Sequence, residues 1–392
     1  MERCMTGERR HPGSSCLWRR DFSPGGLLED GVRTAVFASA MLLGVVASLA
    51  AQAGPSARVE VVRKEADRRV DVLMDGKPFT SYIWPATLKK PVLFPIRTAK
   101  GTAVTRGFPL EPRAGERVDH PHHVGLWFNY GDVNGIDFWN NSDAIPAADK
   151  HKMGTILHRA ITVAKGGDDH GELVTSSDWV MPDGSVSLKQ NTSYTFRGDP
   201  ATRTIDLVIT LTAQDKRVSL ADNKEGVLGL RVTRALEEPS TKPEMFTDAA
   251  GRPTTVASMD NTGVNGVYLT SEGTKGAAVW GTRGRWCTLS GTVGAEPVSI
   301  AILDHPQNPG HPTYWHARGY GLFAANPLGQ KALSDGKDVL NFAIEPRQSA
   351  TFRYRIIVAT GTPSAADVES AWKAWSSRAT EASPESPRPA GR

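Results

Sequence analysis

Cysteine is scarce in this chain. Three cysteines occur among 392 residues, and two of them, Cys4 and Cys16, lie in an N-terminal segment typical of an export leader. Beyond that segment only Cys287 remains, so an internal disulfide cannot form there. A small disulfide-stabilised scaffold is therefore excluded, and the folded part needs a large hydrophobic core. A lone cysteine next to Trp286 is expected to be a buried small hydrophobe.

An excess of charge of one sign is also missing. The chain has 46 basic and 42 acidic side chains, with a formal net charge of +4. No stripe of lysine and arginine runs along any segment, whereas nucleic-acid-binding proteins concentrate basic side chains in this way. A nucleic-acid partner is therefore not expected.

Long apolar runs are limited to one segment near the N-terminus. Residues 34–50 are mostly apolar and are followed by Ala51-Gln52-Ala53, an A-x-A cleavage pattern. We expect 1–53 to be a signal peptide with a long n-region, so that the mature protein is periplasmic or secreted. Residues 54–380 are predicted to form one domain and the Pro-rich 381–392 a disordered tail. A monomer is expected, with no membrane contact beyond the signal segment.

Apolar and polar side chains alternate along much of the chain from residue 58 onward. The pair Asp75-Gly76 between two alternating segments predicts a type I′ hairpin turn. A helix is predicted after Ser364, where a capping residue precedes apolar side chains at helical spacing. We therefore predict an all-β fold, a large antiparallel β-sandwich with a short C-terminal helix. No blade-length repeat supports a β-propeller. Strands are predicted at 58–64, 68–74, 77–84, 154–165, 170–181, 185–196, 202–213, 266–270, 277–281, 298–304 and 350–360.

The segment DHPHHVGLWFNYGDVNGIDFWNN, residues 119–141, combines histidines, acids and aromatic rings. Pro121 favours an edge loop or strand end, and in an extended chain His120 and His122 point to one side while His123 points to the other. Tryptophans supply aromatic faces and acids supply hydrogen-bond acceptors for hydroxyl groups. The candidate site residues in this segment are Asp119, His120, His122, His123, Trp127, Asp137 and Trp139.

The segment LDHPQNPGHPTYWHARGYGLFAANPLG, residues 303–329, repeats the Asp-His-Pro sequence. Its four prolines and several glycines predict a long irregular loop, and such a loop in a compact domain is usually functional. Six of the ten histidines fall in these two windows, which favours a shared site over isolated structural roles. The candidates here are Asp304, His305, His311, Trp315, His316 and Arg318.

A third segment, DNKEG at 222–226 followed by LGLRV, places Glu225 close to Arg231. The pair can be a plain ion pair or can include a general acid or base. For the histidine clusters three interpretations stay open: an acid-base or substrate-binding pocket, a metal site, and hydrogen-bonding fixtures within loops.

These three segments together resemble the PmoA-like family of uncharacterised exported bacterial proteins, over roughly 59–360. The family's label as a methane oxygenase subunit would require several membrane spans, and the mature chain has no apolar segment of about 18 residues, so we reject that function. The strand pattern is also similar to the galactose-mutarotase type of β-sandwich. That resemblance implies a sugar-binding concave cleft containing His120, His122 and Glu225, with His305, His316 and Arg231 nearby.

We therefore expect an exported carbohydrate-active enzyme, of hydrolase, lyase or epimerase type, with the two Asp-His-Pro segments as opposite walls of one cleft. The predicted acid-base residues are His120, His122, Glu225 and His305, while the other candidates bind substrate, with Trp127, Trp139 and Trp315 stacking on the sugar. No cofactor is expected. Two alternatives stay open, a non-catalytic glycan-binding module and a Zn²⁺ enzyme. In the latter the ligands would be His120, His122 and one of His305, His311 or His316.

Overall fold

The computed structural model of the protein describes residues 56–258 and 260–377. The predicted signal peptide and C-terminal tail lie outside these residues. Within them, no helix is both long and apolar enough to cross a membrane. The described chain consists mainly of antiparallel strands, four short 3-10 turns and two α-helices.

Two eight-stranded sheets dominate this part of the chain. Sheet 1 has the order β1-β2-β3-β4-β5-β11-β18-β17, and sheet 2 the order β14-β15-β16-β20-β9-β8-β7-β6. The pairs β10-β19 and β12-β13 form two small separate sheets. The strands are β1 (Val59–Lys64), β2 (Arg69–Met74), β3 (Lys77–Ile83), β4 (Val92–Leu93), β5 (Leu126–Tyr130), β6 (Thr155–Lys165), β7 (Gly171–Val180), β8 (Val186–Gly198), β9 (Thr202–Ala213), β10 (Val218–Leu220), β11 (Gly226–Arg231), β12 (Glu244–Thr247), β13 (Pro253–Val256), β14 (Val267–Thr270), β15 (Trp286–Val293), β16 (Glu296–Asp304), β17 (Tyr314–Arg318), β18 (Leu322–Asn326), β19 (Phe342–Ile344) and β20 (Ser349–Thr360); the helices are α1 (Gln330–Leu333) and α2 (Ala365–Ser376).

The main core lies between the two sheets. Side chains of both belong to one buried apolar cluster, and aromatic pairs join them. Phe79 of β3 meets Phe196 of β8 with ring centroids 6.3 Å apart, and Phe128 of β5 meets Phe352 of β20 at 5.4 Å. This confirms the prediction of an all-β antiparallel sandwich with a C-terminal helix.

Smaller clusters cover the outer faces of the sheets. On sheet 1, Trp127 and Trp139 pack with apolar side chains of β4 and β18. On sheet 2, Val368 and Trp375 of α2 pack against Trp286, Leu303 and Ala301. The outer face of sheet 1 and the α2 side of sheet 2 are thus on opposite sides of the sandwich.

Several local predictions are confirmed. Asp75 and Gly76 have φ of +50° and +72°, as a type I′ turn requires. Ser364 caps α2 through a reciprocal capping box with Asp367. Cys287 is fully buried.

Two local predictions are wrong. Residues 277–281 do not form a strand, because Gly276–Val279 form a 3-10 turn. The window 303–329 is not one irregular loop, since it contains the paired strands β17 and β18. Only the part between β16 and β17 is irregular.

Candidate functional site

The outer face of sheet 1 carries a lateral row of side chains across its last four strands. Gly229 of β11 lies opposite Trp127 on one side and opposite Ala324 on the other, and Ala324 lies opposite His316. The small residues in the middle leave room for the Trp127 ring, because a Cβ at Gly229 would lie 2.4 Å from it. This row forms the floor of the candidate site.

Asp119 is the anchor of the first Asp-His-Pro segment. Its Oδ1 accepts hydrogen bonds from the guanidinium groups of Arg231, at 2.6 Å, and Arg106. Both arginine side chains are fully buried. Burial acts in the opposite direction, but the His120 hydrogen bond and the charges of Arg231 and Arg106 hold the pKa of Asp119 well below its usual range. Asp119 is therefore an ionised acceptor, not an acid-base group.

His120 is oriented by that carboxylate. Its Nδ1 lies 2.8 Å from the second oxygen of Asp119, so Nδ1 carries the proton and donates it. In this tautomer the lone pair is on Nε2, which is the arrangement of a general base oriented by a carboxylate. The His120 side chain is 41% exposed, and its ring stacks on Tyr320 with centroids 5.0 Å apart.

The backbone at His120 departs from the extended geometry expected from the sequence. Its φ is +41°, a left-handed conformation that a non-glycine residue adopts at a cost of about 1 kcal/mol or more. Arg106 stabilises the loop by donating to the carbonyls of Asp119, His120 and His123, at 2.9, 3.0 and 3.0 Å. The prediction that His120 and His122 share a face of an extended segment is wrong for this reason.

His122 and His123 are buried behind His120. The His123 ring stacks on Trp127 at 5.2 Å, and its Nδ1 lies 3.3 Å from the Arg231 guanidinium. Burial and the charges of Lys90 and other neighbouring cations lower the pKa of His122 to about 2, and burial lowers that of His123 strongly as well. Both rings are neutral and support the floor, so the structure does not place His122 among the accessible acid-base groups.

Glu225 and His316 form the other side of the site. Glu225 precedes β11, and one of its carboxylate oxygens lies 3.9 Å from Nδ1 of His316 on β17. Its other oxygen accepts from Lys224 at 2.7 Å, and the side chain is 18% exposed. Burial lowers the pKa of His316 to about 4, with the Glu225 charge acting against that shift. A neutral imidazole beside a reachable carboxylate can take part in proton transfer.

Tyr320 lies between the two sides. It stacks on His120, and the Arg231 guanidinium lies 4.9 Å from its ring centroid. Burial raises its pKa to about 12, and the negative charge of Glu225 adds to that shift. The phenol therefore stays protonated and can donate a hydrogen bond.

Lys90 and Asp137 lie deeper in the site. The ammonium of Lys90 donates to the carbonyl of His122 at 2.7 Å and lies 5.3 Å from the Trp127 ring centroid. Burial lowers its pKa to about 7, while Asp137 acts against that shift. Asp137 itself accepts from the backbone of Trp139 at 2.8 Å and from Asn140, so its carboxylate shapes the turn after β5.

The three tryptophans predicted as sugar-stacking platforms are buried. Trp127 is 2% exposed, and Trp139 and Trp315 are not exposed at all. Their faces are covered by other side chains of the clusters described above, so they cannot stack on a ligand in this conformation. Tyr320 is a partly exposed ring of the site, and it was not among the predicted site residues.

The second Asp-His-Pro segment is at a different place. Asp304 ends β16 and accepts from His311 Nδ1 at 2.7 Å, while its backbone carbonyl accepts from the Trp372 indole of α2 at 2.8 Å. His305 meets Trp375 of α2 edge to face, with centroids 5.1 Å apart. No described contact joins these residues to the first segment. The expectation of two Asp-His-Pro walls facing one cleft is therefore wrong. The segment between β16 and β17 contacts α2 on the sheet 2 side, and the chain enters sheet 1 only at β17.

The window 303–329 is thus divided between two environments. His316 and Arg318, both on β17, join the first segment, and the Arg318 guanidinium lies 5.8 Å from the Tyr320 ring. Asp304, His305 and His311 instead fasten α2 to sheet 2.

The predicted zinc ligand set is not assembled. His305 and His311 lie beside α2, away from His120 and His122. Among the described residues, no group of three or more His, Cys, Asp or Glu side chains has the arrangement of a metal site.

Polar atoms without partners concentrate at the site. Among the buried nitrogens that lack a hydrogen-bond partner in the described residues are Nε2 of His122 and His123, Nδ1 of His316 and the indole nitrogens of Trp127 and Trp139. Buried polar groups are normally satisfied, so their clustering marks a place where polar ligands or water complete the structure.

Sequence reasoning missed three residues of the site: Arg106, Lys90 and Tyr320. Arg106 and Lys90 lie outside the three motifs, and only their burial reveals them. Tyr320 could have been found, because it stands beside Arg318 in the second window.

Comparisons with known proteins show the family of this chain. No curated protein sequence matches this chain. A galactose 1-epimerase from Lactobacillus acidophilus NCFM is similar in structure, with 10% identity and a TM-score of 0.34, covering 78% of this chain and 99% of that one. A galactose mutarotase-like protein from Clostridium acetobutylicum has 9% identity and a TM-score of 0.35, covering 77% and 98%. Residues 69–373 match the family of unknown function DUF6807, and the chain belongs to that family.

Proposed function

We propose that the protein is an exported carbohydrate-active enzyme that transfers protons to and from a sugar through His120 and Glu225. The observation that supports this most directly is the Asp119–His120 pair, which leaves Nε2 of a partly exposed histidine as a base. Two buried arginines hold the carboxylate in place. Fixed charge gathered around one partly exposed imidazole is typical of a functional site.

Glu225 is the second reacting group. It is reachable from solvent, and its charge acts on Tyr320, whose ring stacks on His120. In the proposed reaction, Nε2 of His120 and the Glu225 carboxylate are the two proton acceptors. Each takes a proton from the sugar at one atom and returns it at a neighbouring one, so both groups end as they began. Enzymes of hydrolase, lyase or epimerase type use such a pair.

A polyhydroxylated substrate suits the accessible rim of the site. The Arg318 guanidinium and the Tyr320 phenol are donors, and the carboxylate of Glu225 is an acceptor, as sugar hydroxyls require. The predicted leader supports an extracytoplasmic substrate, and the PmoA-like resemblance points to the same compartment.

The test is a substrate panel. Free aldoses are followed by polarimetry and exchange NMR, and aryl glycosides by release of the phenol. Wild type, Glu225→Gln and the matched control Glu172→Gln are compared. Glu172 is an exposed acid on β7 of sheet 2.

We expect wild type to turn over at least one panel member. Glu225→Gln should lower kcat/KM by about 10²- to 10⁴-fold, the usual contribution of a positioned acid or base, whereas Glu172→Gln should keep it. Binding of a panel sugar without any turnover would contradict the enzyme proposal and leave the glycan-binding alternative.

A further inference from the structure

A large groove lies beside the candidate site, at one edge of the sandwich. Its volume is about 1020 Å³, within the range of cavities that hold a ligand of several rings. Loops around β3, β4, β6 and β7 form its walls. Lys90 belongs to both places, since it lines the groove and donates to the carbonyl of His122. Lys90 therefore connects the groove with the candidate site.

The charges along the groove are mostly of one sign. Asp143 is the acid among the lining residues, and Lys89 pairs with it at 2.5 Å. Arg159 pairs with Asp178 at 2.7 Å, whereas Lys150 and Arg68 make no ion pair with any described residue. A cleft lined by one sign of charge concentrates its field and attracts ligands of opposite charge. The lining cations are Arg68, Lys89, Lys90, Lys150 and Arg159.

An aromatic ring lies among these cations. Trp84 is partly exposed in the groove and stacks on His158, with ring centroids 4.1 Å apart. The Tyr82 hydroxyl lies 3.0 Å from Nδ1 of His158, and burial raises the pKa of Tyr82 far above the neutral range. The Tyr82 phenol therefore stays protonated and is hydrogen-bonded to the His158 ring. The groove thus has a ring face for a sugar and a hydrogen-bonding imidazole beside it.

We propose that this groove binds an oligosaccharide that carries carboxylate groups, so that the substrate is an acidic glycan extending from the candidate site. The saccharide class rests on the proposed function, whereas the preference for an anionic ligand rests on the groove alone. Arg68 and Lys150 meet the carboxylates, and Trp84 stacks on the face of one sugar ring.

The test is equilibrium binding by calorimetry, carried out in the Glu225→Gln background so that no substrate is consumed. The probes are an oligogalacturonate, a neutral malto-oligosaccharide of the same length, a sulfated oligosaccharide and a single-stranded oligonucleotide. We expect the oligogalacturonate to bind at least about tenfold more tightly than the neutral chain, with an affinity that falls as salt is added.

Variants locate the binding. Lys150→Ser should weaken oligogalacturonate binding by about threefold to tenfold, and Trp84→Ala by about tenfold. The matched control is Lys189→Ser, at an exposed position on β8 outside the groove, and it should bind like its parent. Lys150 lies in an exposed 3-10 turn, so its variant keeps the fold even if the Trp84 variant does not.

Four results would overturn the proposal: equal binding of the neutral chain, no binding of the oligogalacturonate, unchanged binding by both groove variants, and tighter binding of the sulfated chain or the oligonucleotide. These outcomes are separate from those of the substrate panel. If no sugar is turned over but the groove variants lose binding, only the enzyme proposal fails. If a neutral sugar is turned over and the groove binds nothing, only this inference fails.

Discussion

The Asp119 carboxylate is the connection on which the first Asp-His-Pro loop depends, and Asp119→Asn tests this. The substitution removes the charge that neutralises two fully buried guanidinium groups. Arg106 keeps its four backbone carbonyl acceptors. The amide oxygen of the variant can still accept from both arginines, but it carries no charge, and the Arg231 side chain has only the 3.3 Å contact with His123 as another hydrogen-bond partner among the described residues. The loss is therefore greatest at Arg231.

The expected size follows from the cost of breaking a buried ion pair on one side, about 3–5 kcal/mol. The structure describes 321 residues. At about 2.1 cal/mol/K of unfolding entropy per residue, a domain of this size loses about 4–8 °C in Tm for that change. Differential scanning calorimetry at pH 7 measures it directly.

The difference between wild type and variant should also depend on pH. Because the pKa of Asp119 is lowered in the folded state, its stabilisation is complete above the unfolded value near 4 and is lost as the pH falls below it. The Tm difference should therefore be constant from about pH 7 to 5 and shrink below about pH 4. The control is Asp215→Asn, since Asp215 is an exposed partner of Arg347 and should shift Tm by less than about 1 °C. A Tm for Asp119→Asn within about 1 °C of wild type would refute the claim that Asp119 stabilises the loop by neutralising Arg106 and Arg231.

Three further predictions concern the packing at Gly229 in the floor of the site, the protonation of His316, and the docking of α2. Gly229→Ala should lower the free energy of unfolding by about 1–3 kcal/mol in urea titrations, because the new methyl group collides with Trp127; an unchanged midpoint would show that the ring can move away. In the folded protein the pKa of His316 is about 4, so between pH 4 and about 6.5 the unfolded chain binds one proton more than the folded chain, and the free energy of unfolding rises with pH. His316→Gln should reduce the slope of the free energy of unfolding against pH by up to about 1.4 kcal/mol per pH unit. An unchanged slope would contradict the burial of His316 as a neutral ring. Trp372→Phe removes the indole hydrogen bond to the Asp304 carbonyl and should speed hydrogen exchange in α2 by about fivefold, for a loss near 1 kcal/mol; unchanged exchange would contradict this docking contact.

The fold class could be predicted because most strands of sheet 2 show one face to the core and the other to solvent. Strands β7 and β9 alternate strictly between buried and less buried side chains, and their sequences show this period of two. Strands β5 and β11 are buried on both faces, so their sequences carry no alternation. The sequence therefore predicts sheet 2 well and sheet 1 incompletely.

The candidate site was predictable in composition and only partly in geometry. Asp119 and His120 are hydrogen-bonded, His120 stacks on Tyr320, and the charge of Glu225 acts on the same phenol. The positive φ at His120 could not be foreseen, because an extended chain was assumed. The repeated Asp-His-Pro sequence was misleading, since Asp304 uses it to fasten α2.

Long-range assembly explains the rest. The cations of the groove come from four separate segments between residues 68 and 159, and no local pattern of the chain joins them. Likewise Arg106 reaches Asp119 only because the loop between β4 and β5 folds back on itself.

The central claim is that His120 and Glu225 act together on one substrate, and a double-mutant cycle on kcat/KM tests it most directly. The variants are His120→Gln, Glu225→Gln and the double variant, assayed on the panel sugar that wild type turns over fastest. Groups that act as a unit are strongly non-additive, so we predict that each single change lowers kcat/KM by at least about 10²-fold and that the double variant is no more than about tenfold worse than either. If either single variant had the same kcat/KM as wild type, that result would contradict the account.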